Sequence, residues 1–416
     1  MLRTIANAFS VVEIRKKLAF TAAMLLLYRF GAFIPAPGVD VDAVKEFSGE
    51  FAGGGVLSFL SLFSGGALER FSLFALGIMP YITSSIILQL LTVVVPSLEK
   101  LSKEGEVGQQ KITQYTRYLT VGLAFGQAWG FAFLFRSFGL EGLTGPKILL
   151  IVISLTAGCT LLMWMGELIT QRGIGNGISL MIFASIVSGL PAGIEAWWTN
   201  PEPVFKVMMP FVALSVIVAI VFVQEGQRRI PIQYAKRVVG RKMTSGGSTY
   251  LPLRVNMAGV IPVIFAASIM VFPPTIGQLL NTPAALDFAA FFGPNTWAYV
   301  AGEVFFIIVF TYFYTAVTFN PVDQADNLKQ NGGFIPGVRP GRPTAEYLDR
   351  ILSRLTFPGA LYLGAVAALP TILISQTSAN FFFGGTSILI VVGVALDTVK
   401  QLEAQLMMRN YEGFLK

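Results

Sequence analysis

The chain has 416 residues, 54% hydrophobic and 13% charged, with a formal net charge of +7, no histidine and one cysteine. That composition leaves too little polar surface to cover an aqueous fold, so the predicted fold class is an all-α membrane protein, whose helices satisfy their own backbone hydrogen bonds; the ~10-residue alternating segments of a membrane barrel are absent. Without histidine, Ser-His-Asp and Cys-His catalysis and most transition-metal ligation are excluded, and Cys159 alone allows neither a disulfide framework nor a usual zinc site.

Residues 1–17 read as a short amphipathic helix, with Ile5, Phe9, Val12 and Lys16 at helical spacing, acting as a positive anchor for the first span. Ten apolar runs come next: 18–35, 71–95, 118–135, 148–168, 178–192, 207–223, 255–276, 298–319, 355–375 and 381–399. Most are near the ~20 residues a helix needs to cross ~30 Å of hydrocarbon. The first ends at Ile34-Pro35-Ala36-Pro37-Gly38, which is not a small-x-small cleavage site, so no cleavable signal is expected. The segment 55–68 is apolar but too short to span, and glycines flank it on both sides. It is either a re-entrant hinged helix, tolerated only where protein or a water-filled cavity surrounds it, or an ordinary surface-lying helix.

Lys and Arg gather in alternate loops. The N-terminus, the second, sixth and eighth loops and the tail carry most of them, and the fourth loop has Arg172. The intervening loops hold only Lys45, Arg70, Arg136, Lys147 and Lys206. The positive-inside rule then places both termini in the cytoplasm. Ten spans divide into five and five, predicting an N-terminal half at 1–195 and a C-terminal half at 196–416. An odd number of spans per half inverts the second relative to the first, as in inverted repeats. There is no letter-by-letter self-similarity, so the repeat is a topological inference.

The loop 224–254 carries Arg228, Arg229, Lys236, Arg237, Arg241 and Lys242 among Gly and Pro, which suits a rigid protruding hairpin. Such charge either fixes topology or meets a polyanionic partner, RNA phosphate or an acidic protein face. The loop 320–354, with Asn320-Pro321 and Phe334-Ile335-Pro336-Gly337-Val338-Arg339, is structured in the same way.

Separated motifs carry a resemblance: Phe63-Ser64-Gly65-Gly66-Ala67-Leu68, Ala75-Leu76-Gly77-Ile78-Met79-Pro80-Tyr81-Ile82, Lys111-Ile112-Thr113-Gln114-Tyr115-Thr116-Arg117-Tyr118, Arg172-Gly173-Ile174-Gly175-Asn176-Gly177-Ile178-Ser179, Tyr234-Ala235-Lys236-Arg237, Asn256-Met257-Ala258-Gly259-Val260-Ile261-Pro262 and Gly384-Gly385-Thr386-Ser387. From about residue 14 to 415 the chain resembles the bacterial SecY family, the channel subunits of the Sec protein-export translocon. The resemblance implies an hourglass channel between the two halves, with a pore ring of Ile82, Ile86, Ile182, Ile186, Ile264 and Ile390. The spacing agrees, because Ile82/Ile86 and Ile182/Ile186 are i, i+4 pairs on one helix face. An apolar constriction gates by dewetting. The ordinary place for an isoleucine in a membrane helix is against lipid or core, and only the resemblance lifts these six above it.

By the same resemblance 55–68 becomes a plug, with Val56, Leu57, Phe59, Leu60, Leu62 and Phe63 as its apolar face. A lateral gate lies between the second and third spans and the seventh and eighth, where Gln127 and Asn256 would share an interhelical hydrogen bond or each satisfy a local carbonyl. The basic loops, with Arg339, would dock the ribosome and the SecA motor ATPase. The resemblance further implies SecE and SecG as membrane subunits, signal peptides and nascent polypeptides as cargo, and lipid around the bundle in the bacterial inner membrane. No catalytic residue, cofactor or metal is expected. The chain has no phosphate loop, so energy comes from a partner.

Gly173-x-Gly175-x-Gly177 lacks any strand context for a nucleotide fingerprint and is expected to turn the chain before the fifth span. Arg29, Glu167 and Glu303 lie in or near spans without assigned roles. Pro80 and Pro262 are expected to loosen their helices. The competing reading is a secondary transporter for a small solute, which would want charged or ion-coordinating groups at the midplane. An intramembrane protease is disfavoured because Asp287, Asp323 and Asp326 lie in loops.

Overall fold

The computed structural model describes residues 11–39, 61, 63–137, 145–199, 203–234, 237–239, 242–244, 247–270, 273, 277, 282–293, 296–377 and 385–413. Each of the ten apolar runs contains a helix. The N-terminal half holds α1 (Val12–Gly31), α2 (Met79–Val94), α3 (Pro96–Lys103), α4 (Glu106–Ser137), α5 (Gly145–Arg172), α6 (Gly177–Ser188) and α7 (Leu190–Thr199). The C-terminal half holds α8 (Pro203–Glu225), the strands β1 (Gln227–Tyr234), β2 (Arg237–Val239), β3 (Lys242–Thr244) and β4 (Ser248–Arg254), then α9 (Ile261–Met270), α10 (Pro283–Phe291), α11 (Trp297–Thr318), α12 (Pro321–Gln330), β5 (Gly333–Phe334), α13 (Arg342–Thr377) and α14 (Gly385–Gly413). Among the described residues five helical stretches are long and apolar enough to cross a membrane, and α2 with α3, bent by 100° at Val95, makes a sixth if the pair is one span.

Two of the runs begin later as helices than their hydropathy suggests. In the second run, residues 71–78 form turns, with Phe71 at φ 43° and Gly77 at φ 57°, and α2 starts only at Met79. In the seventh, Gly259 at φ 63° turns the chain, and α9 starts at Ile261. This corrects the expectation for both prolines. Pro80 and Pro262 occupy the first turn of α2 and α9. There the missing N–H has no helical acceptor to lose and the fixed φ favours initiation, so neither proline loosens its helix.

Packing within each half is dense and directional. In the first half α1 lies on α5 and α6, α2 on α4, and α5 on α4 and α6. A bidentate ion pair joins α4 to α5, Arg117 Nη2 lying 2.6 Å from Glu167 Oε2 and Nε donating to Oε1 at 2.8 Å. The turn between α5 and α6 needs glycine twice. Gly175 has φ 84°, and a Cβ on Gly177 would collide with the Gly166 carbonyl. Asn176 then caps α6, its Oδ1 accepting from the N–H groups of Ile178 and Ser179. In the second half α11 packs on α9 and α13, and α14 on α8 and α13. Phe265 of α9 sits edge-on to Phe310 of α11 at 5.8 Å and to Tyr314 at 6.5 Å. The main contacts between the halves are α2 with α9 and α6 with α14.

The expected hairpin is present. β1 pairs antiparallel with β4, Gln227 opposite Arg254, and β2 with β3. The other edge of β1 pairs with β5. The two basic loops are therefore one platform, over a small core of Ile230, Leu253, Phe319, Ile335, Leu348, Ile351 and Leu352. Much of 320–354 is helical rather than loop. Asn320 caps α12 with Pro321 in its first turn, and α13 already begins at Arg342. Ile230→Ala should cost about 2–4 kcal/mol of local stability. Limited proteolysis should then speed up at both 227–254 and 333–341, whereas acceleration at one segment alone would mean that the two loops are independent.

Candidate functional site

The six isoleucines come together. Ile82 and Ile86 lie on α2, Ile182 and Ile186 on α6, Ile264 on α9 and Ile390 on α14. These are the four helices that join the halves. All six belong to one contiguous buried cluster and each is 5% exposed or less. A cluster with this lining offers water no hydrogen bond. Phe63 is buried in the same cluster. The other five residues of the proposed plug face, Val56, Leu57, Phe59, Leu60 and Leu62, lie outside the described residues.

Polar anchors hold the segment after Phe63. The Tyr28 hydroxyl on α1 is hydrogen-bonded to Ser185 Oγ on α6 and donates to the Ser64 carbonyl at 3.2 Å. Arg29 Nη1 donates to the Gly65 carbonyl at 2.8 Å, where Gly65 has φ 66°. Ser64 Oγ donates to the Ser61 carbonyl and accepts from the Leu68 N–H. Arg29 thus fixes the turn that comes after Phe63, and its neighbour Tyr28 ties that turn to α6. Glu167 is the partner of Arg117. Glu303 is buried on α11.

At the seam between α2 and α9, Ser268 Oγ donates to the Ile264 carbonyl at 2.7 Å and approaches Met79 Sδ at 3.9 Å, a weak contact across the helices. Gln127 and Asn256 share no hydrogen bond. Asn256 Nδ2 donates instead to the Gly259 carbonyl at 2.9 Å, because the positive φ of Gly259 folds the chain back on itself. Asn256 Oδ1 is buried without a partner. Gln127 is half-buried on α4.

Arg228, Arg229 and Arg339 are exposed on the joined platform of β1, β4 and β5. In the backbone pairing of β2 with β3, Arg237 lies opposite Thr244 and Lys242 opposite Val239, and Lys236 and Arg241 lie outside the described residues.

A family model described as SecY matches residues 72–399. The chain is 49% identical over its full length, and that of the relative, to the protein translocase subunit SecY of Mycobacterium bovis. The chain belongs to the SecY family. The corresponding subunits of Streptomyces coelicolor and Corynebacterium glutamicum are 49% and 48% identical over both full lengths. Among solved structures, one of a protein-conducting channel superposes with a TM-score of 0.64 at 19% identity, covering 93% of this chain and 91% of the other. Sec61 in the canine ribosome-channel complex gives 0.61 at 18% identity over the same shares. These likenesses show the SecY fold and make the chain a multi-pass membrane protein.

Sequence reasoning missed Tyr28, Ser185, Met79 and Ser268. A tyrosine and an arginine adjacent in an apolar run, and serines within two others, were the available signal. Arg29→Leu and Tyr28→Phe should each remove about 1–3 kcal/mol of anchoring on the Gly65 turn. Ion conductance of reconstituted channels in planar bilayers should rise, more for Arg29→Leu, whose charge-assisted bond is the stronger. Unchanged conductance in both would mean that the turn is held elsewhere.

Proposed function

We propose that this chain is the central protein-conducting channel of a bacterial Sec translocon, passing unfolded secretory polypeptides through the isoleucine waist. The observation that carries the reading is the convergence of Ile82, Ile86, Ile182, Ile186, Ile264 and Ile390, from four helices and both halves, into one buried cluster. Branched aliphatic side chains have no donor or acceptor to prefer one residue of cargo over another. They seal by contact around an extended chain and exclude water when it leaves. A small-solute transporter would need ion-coordinating groups at this depth, and the four crossing helices bring isoleucine there instead.

In this reading 1–195 and 196–416 act as two halves of one membrane domain that part at their shared seam. Residues 55–68 form a plug, whose displacement pulls on the turn held by Tyr28 and Arg29. Signal peptides and membrane segments of nascent chains leave sideways into lipid between α2/α4 and α9/α11. Gln127 and Asn256 lie on opposite sides of that opening. The basic loops lie in the cytoplasm with both termini, and the membrane is the inner membrane. Arg228, Arg229, Lys236, Arg237, Arg241, Lys242 and Arg339 dock the ribosome and the SecA motor; the canine relative's ribosome-channel complex supports the ribosome as partner. SecE and SecG complete the channel.

The reading is tested with a secretory chain stalled in reconstituted proteoliposomes. Crosslinks to it should form at Ile82, Ile182, Ile264 and Ile390 together. A stalled chain that reaches none of them would place the path elsewhere. Arg339→Glu reverses the charge of an exposed side chain. It should reduce motor-driven transport about tenfold, on the scale of one lost charge pair of about 1.4 kcal/mol, with channel abundance in the membrane unchanged. Equal loss of abundance would assign Arg339 to folding.

A further inference from the structure

A cavity of about 440 Å³ opens one helical turn from the waist, on the side of the basic loops. Its lining includes Val394, Val260 and Ser179. On α14, Val394 lies four residues from Ile390. Val260, at the start of α9, lies four from Ile264, and Ser179 on α6 lies three from Ile182. Three of the four ring helices therefore carry the cavity wall directly into the waist, and a polypeptide threaded through the waist has to occupy this space.

Two amide side chains in the wall are unusual. Gln224, at the end of α8, is 7% exposed, and its Nε2 has no hydrogen-bond partner. Asn256 is 5% exposed, and its Oδ1 has none either. The orientation of Asn256 is set by the bond from Nδ2 to the Gly259 carbonyl, which leaves Oδ1 as the free acceptor. One orphan is thus an acceptor, and the Gln224 amide, which no hydrogen bond orients, can turn its N–H2 to serve as a donor. Burying such groups unpaired is unfavourable, and native proteins rarely tolerate it without a use. Ion pairs bracket the two amides. Lys400 lies 2.8 Å from Glu225, and Arg254 lies 4.0 Å from Asp397, so the cations around the cavity already have anionic partners.

Resting on the channel reading above, we propose that Gln224 and Asn256 form a backbone-binding site for the polypeptide in transit. When the mouth widens, Gln224 Nε2 donates to a peptide carbonyl of the cargo and Asn256 Oδ1 accepts from a peptide N–H. A donor and an acceptor together match the one feature common to every secretory chain, whatever its side chains; proline alone lacks the N–H. The isoleucine ring gives a seal indifferent to sequence, and the amide pair gives a grip that is equally indifferent. Neither orphan atom touches solvent in this structure, so the pairing belongs to the open state.

The test uses the full channel complex in proteoliposomes with a secretory chain stalled by a folded domain. Single cysteines along the stalled chain are disulfide-trapped against Ser179→Cys or Thr318→Cys in the cavity wall and against Ile86→Cys or Ile390→Cys in the waist; native Cys159 is buried. Backsliding of the chain is then timed after the energy source is removed. Trapping in both cavity and waist is expected. Backsliding in Gln224→Met, which keeps the side chain's length and leaves the Asn256 turn intact, should be about fivefold faster for one lost hydrogen bond, and in Asn256→Leu by a similar factor. Trapping in the waist with none in the cavity, or backsliding unchanged in both variants, would overturn the backbone site, leave the channel reading standing and make water the occupant of the cavity. Trapping at neither level would overturn the channel reading and this site with it.

Discussion

The two halves of the bundle meet through branched aliphatic side chains on α2, α6, α9 and α14. That joint has an unusual energetic character. Lipid tails are as apolar as isoleucine, so no hydrophobic force drives the halves together inside a membrane. What remains is dispersion, about 0.1–0.2 kcal/mol for each atom pair in contact. A joint of this kind is close-packed, and among the described residues the directional contacts between the halves are long and few: Ser268 Oγ with Met79 Sδ at 3.9 Å and Lys17 Nζ with Gln405 Oε1 at 3.5 Å. Each half, by contrast, is pinned by directional contacts: the bidentate Arg117–Glu167 pair in the first, the Phe265–Phe310 and Phe265–Tyr314 edges in the second. Parting at the seam would leave these contacts within each half intact.

The same contrast accounts for the polar groups within the spans. Arg29 and Tyr28 are costly in a membrane helix unless they are satisfied, and both are satisfied by the turn at Ser64–Gly65 and by Ser185. These bonds join α1, α6 and the segment just after Phe63, whose side chain is packed in the isoleucine cluster. The polar anchor is therefore continuous with the apolar cluster, Tyr28 being one of its buried members. Ser268 and Met79 add only a weak contact where α9 crosses α2.

The basic loops obey a different logic. β5 contributes two residues, yet by pairing with β1 it converts two loops separated by residues 255–319 into one surface. Ile335 of one loop and Ile230 of the other are then buried in a shared core. Rigid display of charge costs less side-chain and backbone entropy on docking than display on free loops. Arg228, Arg229 and Arg339 are presented in that way.

Hydropathy and charge in the sequence determined the all-helical membrane architecture, because lipid leaves the backbone no other way to pair. Each of the ten apolar runs contains a helix, Asn320-Pro321 began one, and the glycines at 173–177 made the turn expected of them. The isoleucine positions were legible through spacing and motif. What sequence alone misjudged were events one turn long. A run of apolar residues does not reveal that 71–78 are irregular, because turns packed against protein are as apolar as helices. Helix-breaking was read into Pro80 and Pro262 when the breaks had already happened before them. Tertiary structure alone decided that Asn256 bonds to Gly259 instead of Gln127, that Arg29 meets a carbonyl 36 residues away, and that β5 closes on β1. Each depends on which surfaces the chain brings together after the helices have formed, and no local pattern encodes that distance.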